Sequence, residues 1–168
     1  MGRANPLRLL TDAGARPAWT VLAAWLAALV PSLALFAMRV ALGEATLPRE
    51  PPPWPFAAYS IAIAPLAESA LMLGFAWLLD RALPGRDRVH VATTAIVFAL
   101  LHVPGGGLVQ GIAVAWPFVV YAVVLVVRRR RSPLQAFAVA SAAHALYNAT
   151  FVVLGAAAAA FAGAATGR

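Results

Sequence analysis

Residues 56–79 read FAAYSIAIAPLAESALMLGFAWLL, twenty-four residues with a single charged side chain, Glu68. A helix of about 20 residues crosses the roughly 30 Å hydrocarbon core of a bilayer, so this stretch is long enough to span. Three more runs have that length: Trp19–Leu42, Leu108–Val127 and Leu134–Leu154. Val89–Val103 is shorter and still strongly apolar. Composition agrees with this reading. Of the 168 residues, 62% are hydrophobic and 11% charged, with a mean hydropathy of +0.81. A soluble domain carries about 25% charged residues, so this chain cannot cover a water-facing surface. The expected fold is an all-α integral membrane bundle. Its five transmembrane helices fall near 18–42, 56–80, 89–104, 108–128 and 133–155, in one domain over residues 1–168.

The net charge of +7 comes from thirteen basic residues, all of them arginine. In a soluble protein that balance would suggest nucleic acid. Here the arginines cluster at the ends of apolar runs, above all at Arg128–Arg131, and the positive-inside rule accounts for them. No nucleic-acid partner is expected; the partners are the lipid bilayer and a membrane-anchored protein or peptide. Arg3, Arg8 and Arg16 precede the first span, while Gly43–Pro55, GEATLPREPPPWP, holds one Arg and two Glu. Asp80, Arg81, Arg86 and Arg88 follow the second span, and the four consecutive arginines follow the fourth. Every connection fits a cytoplasmic N-terminus. Arg39 is placed to snorkel to the far interface. Trp19–Leu42 is too long for a signal-peptide core and reads as a retained helix, which Pro31 is positioned to kink. Gly155–Arg168 is too short to span and either extends the last helix or frays. There is no cysteine, which excludes disulfides, thiol catalysis and thiolate metal sites.

Polar residues inside spans carry information, because an ionised side chain at mid-helix costs about 2.5–3.5 kcal/mol even on insertion scales. Glu68, His102, His144 and Asn148 stand out. At about 1.5 Å rise per residue, three separate helices bring them to similar depth. Ser141, His144 and Asn148 share one helical stripe, as do Thr94, Phe98 and His102. Pro65 has no N–H for the Ile61 carbonyl, which predicts a bend beside Glu68. Each residue has a bland reading. A lone intramembrane histidine is as often a packing residue as a functional one, and a lone asparagine is usually interhelical glue. A lone glutamate is costlier to bury and more often functional. Their convergence favours a buried site. Ser69 and Thr94 read as structural, His90 as interfacial beside Arg86 and Arg88, and the Trp and Tyr residues as interface anchors or packing.

Ala64-Pro65-Leu66-Ala67-Glu68-Ser69-Ala70-Leu71-Met72-Leu73-Gly74 resembles the first motif of the CPBP family, the CAAX-protease and bacteriocin-processing (Abi) membrane proteins. That motif runs A-P-x-x-E-E-x-x-F-R-G. Phe98–His102 resembles the second motif, F-x-x-x-H, and His144–Asn148 the later H-x-x-x-N. The order is the family's, over residues 56–154. The resemblance implies a glutamate-dependent intramembrane endopeptidase of a bacterial inner or plasma membrane. Its catalytic set would be Glu68, His102, His144 and Asn148. The chain departs from the family where the second Glu is Ser69 and the Arg is Leu73.

Peptide hydrolysis needs an activated water and donors for the oxyanion. Glu68 suits the base. His102 can pair with Glu68, orient the water or bind a metal, and His144 and Asn148 can donate to the oxyanion. The expected substrate is a membrane-associated tail, and no cofactor is expected. Were a metal bound, its ligands would be Glu68, His102 and His144, leaving no second carboxylate as base. Two other readings compete. One is a catalytically inactive protein of the same fold in immunity or scaffolding, which the Ser69 and Leu73 departures favour. The other is a bis-histidine haem carrier using His102 and His144.

Overall fold

A computed structural model of the chain describes residues 6–43 and 50–165. Arg3 and positions 44–49 of the proline-rich connection, with Glu44 and Arg49, lie outside the described residues. A short helix α1 (Pro6–Thr11) leads into α2 (Pro17–Ala41). The next span is composite: α3 (Trp54–Ala58), a π-helical turn over Tyr59–Ile63, and α4 (Ala64–Ala82). Then come α5 (Asp87–Leu101), α6 (Val103–Arg128) and α7 (Pro133–Ala165). Among the described residues, five stretches are long and apolar enough to cross a membrane: Pro17–Ala41, Trp54–Ala82, Asp87–Gly105, Gly107–Arg128 and Pro133–Ala164. The protein is an all-α, multi-pass membrane protein. The last helix runs ten residues past the expected 155 because the alanine-rich stretch after Gly155 continues it, alanine being the best helix former.

α6 is the axis of the bundle. It packs against α2, α4, α5 and α7, and half of its spanning window is buried, a larger share than in any other span. Small residues let the helices approach. Ala24 and Ala28 on α2 and Ala136, Ala140 and Ala143 on α7 are fully buried, as expected where no water drives association and close van der Waals packing holds helices together. Leu22, Leu26, Val30, Leu71, Leu78, Leu100 and Ile112 stay exposed and form a lipid-facing surface.

The α5–α6 hairpin turns sharply. Gly107 has φ 76° and ψ 175°, a region essentially restricted to glycine, and it redirects the chain after Pro104. Gly111 then lies against α5. A Cβ there would stand 2.7 Å from Val103 Cγ2 and 3.1 Å from the Ala99 carbonyl oxygen. Gly111→Val is therefore expected to pry the hairpin apart and cost about 1–3 kcal/mol, read as a lower midpoint when the detergent-solubilised protein is unfolded with SDS.

The Arg128–Arg131 run ties together one end of the bundle. Arg128, fully buried, donates to Gln135 Oε1 (2.9 Å), the Ala15 carbonyl (2.6 Å) and the Thr20 hydroxyl. Arg129 donates to Asp80 (2.6 Å) and Arg130 to both oxygens of Asp87 (2.7 and 2.8 Å). The arginines thus clamp the α1–α2 and α4–α5 turns to the end of α6. His90 belongs to this clamp and is fully buried within the protein at this end of the bundle. Its Nε2 lies 2.9 Å from the Leu83 carbonyl, and Arg129 Nη2 lies 3.0 Å from its Nδ1. A carbonyl only accepts, so Nε2 carries the proton and Nδ1 accepts from Arg129. The Leu83–Arg86 turn folds back over the helix end, which local hydropathy does not reveal.

Candidate active site

The site begins with a backbone irregularity. Ala64 N–H bonds the Tyr59 carbonyl, one residue further back than in an α-helix. That takes away the α-helical partner of the Ser60 carbonyl. Its partner in π register would be residue 65, which is proline and has no N–H. The orphaned carbonyl is satisfied from another helix: Asn148 Nδ2 donates to Ser60 O at 2.7 Å. The bend expected at Pro65 is thus a π-turn, and Asn148 joins α7 to it. The second Nδ2 hydrogen remains available. Asn148→Leu is expected to strand the Ser60 carbonyl at a cost of about 0.6–2 kcal/mol, measurable as a lower SDS unfolding midpoint.

One turn beyond Pro65, Glu68 stands between two imidazoles. His102 Nε2 lies 3.9 Å from Glu68 Oε1, and His144 Nε2 lies 3.9 Å from Oε2. These separations are too long for direct hydrogen bonds and suit a water that touches both partners. His102 Nδ1 is 2.8 Å from the Phe98 carbonyl, so Nδ1 carries a proton and the ring turns its Nε2 toward the glutamate. Glu68 Oε2 and His144 Nδ1 are buried without a hydrogen-bond partner among the described residues. Buried polar atoms are rarely left so, and both of these residues border a cavity. Glu68, His102 and His144 do not form a metal-holding cluster, and no other such group of three occurs among the described residues.

α6 supplies walls that the sequence reading treated as packing. Tyr121, almost wholly buried, stacks on His144 with centroids 4.8 Å apart and planes at 22°. Phe118 packs against both imidazoles, at 5.1 Å from His102 and 5.9 Å from His144. Tyr147 sets its edge on Tyr121. A phenol inside an otherwise apolar span was the available signal for Tyr121, since a buried hydroxyl needs a partner. All of these residues border one cavity of about 690 Å³, lined also by Asn148, Ser60 and Arg39. Arg39 turns toward this cavity rather than only toward an interface. The four residues singled out in the sequence, Glu68, His102, His144 and Asn148, come together here from three helices. Neither Ser69 nor Leu73 lines this cavity. Ser69 is buried, and Leu73 packs on the core and borders a separate cavity between α4, the turn after α6 and the start of α7.

The profile of the family "Type II CAAX prenyl endopeptidase Rce1-like" matches residues 50–150. The chain belongs to that family. The matched segment holds the π-turn, Glu68, both cavity histidines and Asn148, together with the α6 wall. No curated protein and no solved structure matches the chain. As a Rce1-like protein it is a CAAX-protease-type membrane protein.

Proposed function

We propose that the chain is an active intramembrane endopeptidase that cuts a membrane-associated, C-terminal tail. The observation carrying this reading is the Glu68 carboxylate poised 3.9 Å from each of two imidazoles inside a cavity large enough for a peptide segment. A water held between Glu68 and His102 loses a proton to Glu68 as its oxygen attacks the scissile carbonyl carbon. The charge that develops on the carbonyl oxygen is met by His144 Nε2–H and by the free Nδ2 hydrogen of Asn148. Glu68 then passes its proton to the departing amine nitrogen as the C–N bond breaks. Tyr121 and Phe118 keep His144 in register, which matters because catalytic groups must be held to a fraction of an ångström.

The competing reading, an inactive protein of the same fold, draws on Ser69 and Leu73. Neither position lines the acid–histidine cavity, and the four groups assigned to chemistry are all present in the chain. The deciding experiment reconstitutes the protein in nanodiscs with a prenylated peptide ending in Cys plus three residues. Release of the terminal peptide, followed by mass spectrometry, supports the protease. Absence of release from this tail and from unprenylated apolar tails rejects it.

A further inference from the structure

The second cavity, of about 510 Å³, lies between α4, the turn after α6 and the start of α7. Along α4 it runs from Ala70 to Asp80, about 15 Å at 1.5 Å rise per residue. Its inner half is apolar, walled by Ala70, Leu73, Gly74 and Phe137. Leu73 stands where the family motif carries Arg, so that half holds no charge. Asp80, Arg129 and Arg130 border the other half. Trp77 lies between the two on α4 and is half exposed, beside the lipid-facing Leu78. The cavity therefore opens on the perimeter of the bundle. Arg81 sits 3.4 Å over the Trp77 ring and adds a cation at that opening.

Donors outnumber acceptors at the charged half. Arg129 spends Nη2 on Asp80 (2.6 Å) and His90 Nδ1 (3.0 Å), and its Nη1 is buried with no partner. Arg130 meets Asp87 through Nη2, and its side chain is 62% exposed. Among the described residues, the α1–α2 segment, the α4–α5 junction and the end of α6 carry nine arginines against three aspartates, Asp12, Asp80 and Asp87. Pro133 begins α7 at the cavity, and the positive end of that helix adds to the field. Guanidinium groups with donors to spare favour phosphate oxygens.

We infer that this cavity binds an anionic phospholipid, with the headgroup phosphate at Arg129 and Arg130 and an acyl chain along Leu73, Gly74 and Phe137. Basic pockets between spans at the membrane surface take anionic headgroups in this way. The apolar half selects a lipid over a free phosphate, which would leave that wall uncovered. A lipid seated there bridges α4, which carries Glu68, to the start of α7, which carries His144. The site is separate from the acid–histidine cavity, and its occupancy does not depend on the protease reading.

The test titrates the full chain in dodecyl maltoside micelles with phosphatidylglycerol or phosphatidylcholine of identical acyl chains, and native mass spectrometry counts the lipid bound. Wild type is expected to hold one phosphatidylglycerol at least about fivefold more tightly than phosphatidylcholine. Arg130→Gln should lose that preference through phosphatidylglycerol alone. It gives up only an exposed pair with Asp87, and such pairs contribute little to folding. Gly74→Leu should weaken both lipids, because it fills the apolar half. A Cβ at Gly74 meets no atom within 4 Å, so the fold tolerates it. SDS unfolding midpoints without added lipid, expected near wild type for both variants, check this. Equal binding of the two lipids overturns the site, as does a preference that survives Arg130→Gln or binding untouched by Gly74→Leu. Displacement of phosphatidylglycerol by millimolar inorganic phosphate rejects the lipid in favour of a soluble anion, and resistance to it supports the lipid.

Discussion

Glu68→Gln is expected to abolish cleavage while leaving the protein inserted and folded. The amide is nearly isosteric with the carboxylate, and it cannot take a proton from water. General-base catalysis contributes about 10²–10⁴-fold, and the same carboxylate also delivers the proton to the leaving amine. The loss should therefore sit at or beyond the upper end of that range, in kcat rather than KM. Folding should hold, because Glu68 makes no direct hydrogen bond to either imidazole, with both separations at 3.9 Å. Its buried Oε2 has no protein partner to lose. The measurement is single-turnover cleavage in nanodiscs, beside circular dichroism and SDS unfolding of the same preparation. Wild-type turnover by Glu68→Gln would sink the mechanism.

His144→Ala is expected to be the second most damaging change, lowering kcat by about 10²–10³-fold, the worth of one preorganised oxyanion donor. It should also soften the site. The imidazole fills the space between Tyr121, stacked at 4.8 Å, and Phe118 at 5.9 Å. Its removal leaves a cavity and unsettles the Tyr121 ring. His144→Phe separates the two contributions: an aromatic ring restores packing and supplies no N–H. Stability near wild type with kcat still down by about 10²-fold marks His144 as a donor. Recovery of activity in His144→Phe would reduce it to a packing residue.

These changes are confined to a site whose members were legible one by one before their arrangement was. Glu68, His102, His144 and Asn148 were conspicuous because polar atoms inside long apolar runs are costly, and similar depth follows from helical rise alone. Depth does not give azimuth. Whether those four side chains faced one another or the lipid depended on how three helices rotate about their axes. The Ser60 carbonyl shows why: it faces Asn148 only because Pro65 and the π-turn leave it without a partner in its own helix. Tyr121 and Phe118 escaped notice because an aromatic ring in a membrane span is ordinary; apart from the Tyr121 phenol, it is contact with His144 and His102 that singles them out. The partners of His90 were hidden for a related reason. Its neighbours in sequence are arginines at a helix end, whereas its neighbours in space are Asp80, Arg129 and the Leu83 carbonyl.

From the sequence alone came the five apolar spans, the helical class and the short list of polar intruders. All follow from hydrocarbon thickness and the cost of burying charge, which depend on composition and length and need no neighbours. The tertiary structure alone decided which faces meet, that Ser69 and Leu73 stand away from the cavity, and that Arg39 stands on it. Those outcomes depend on interhelical packing, where small residues such as Ala28, Gly111 and Ala140 set how closely and at what rotation the helices approach. Hydropathy carries no record of that rotation.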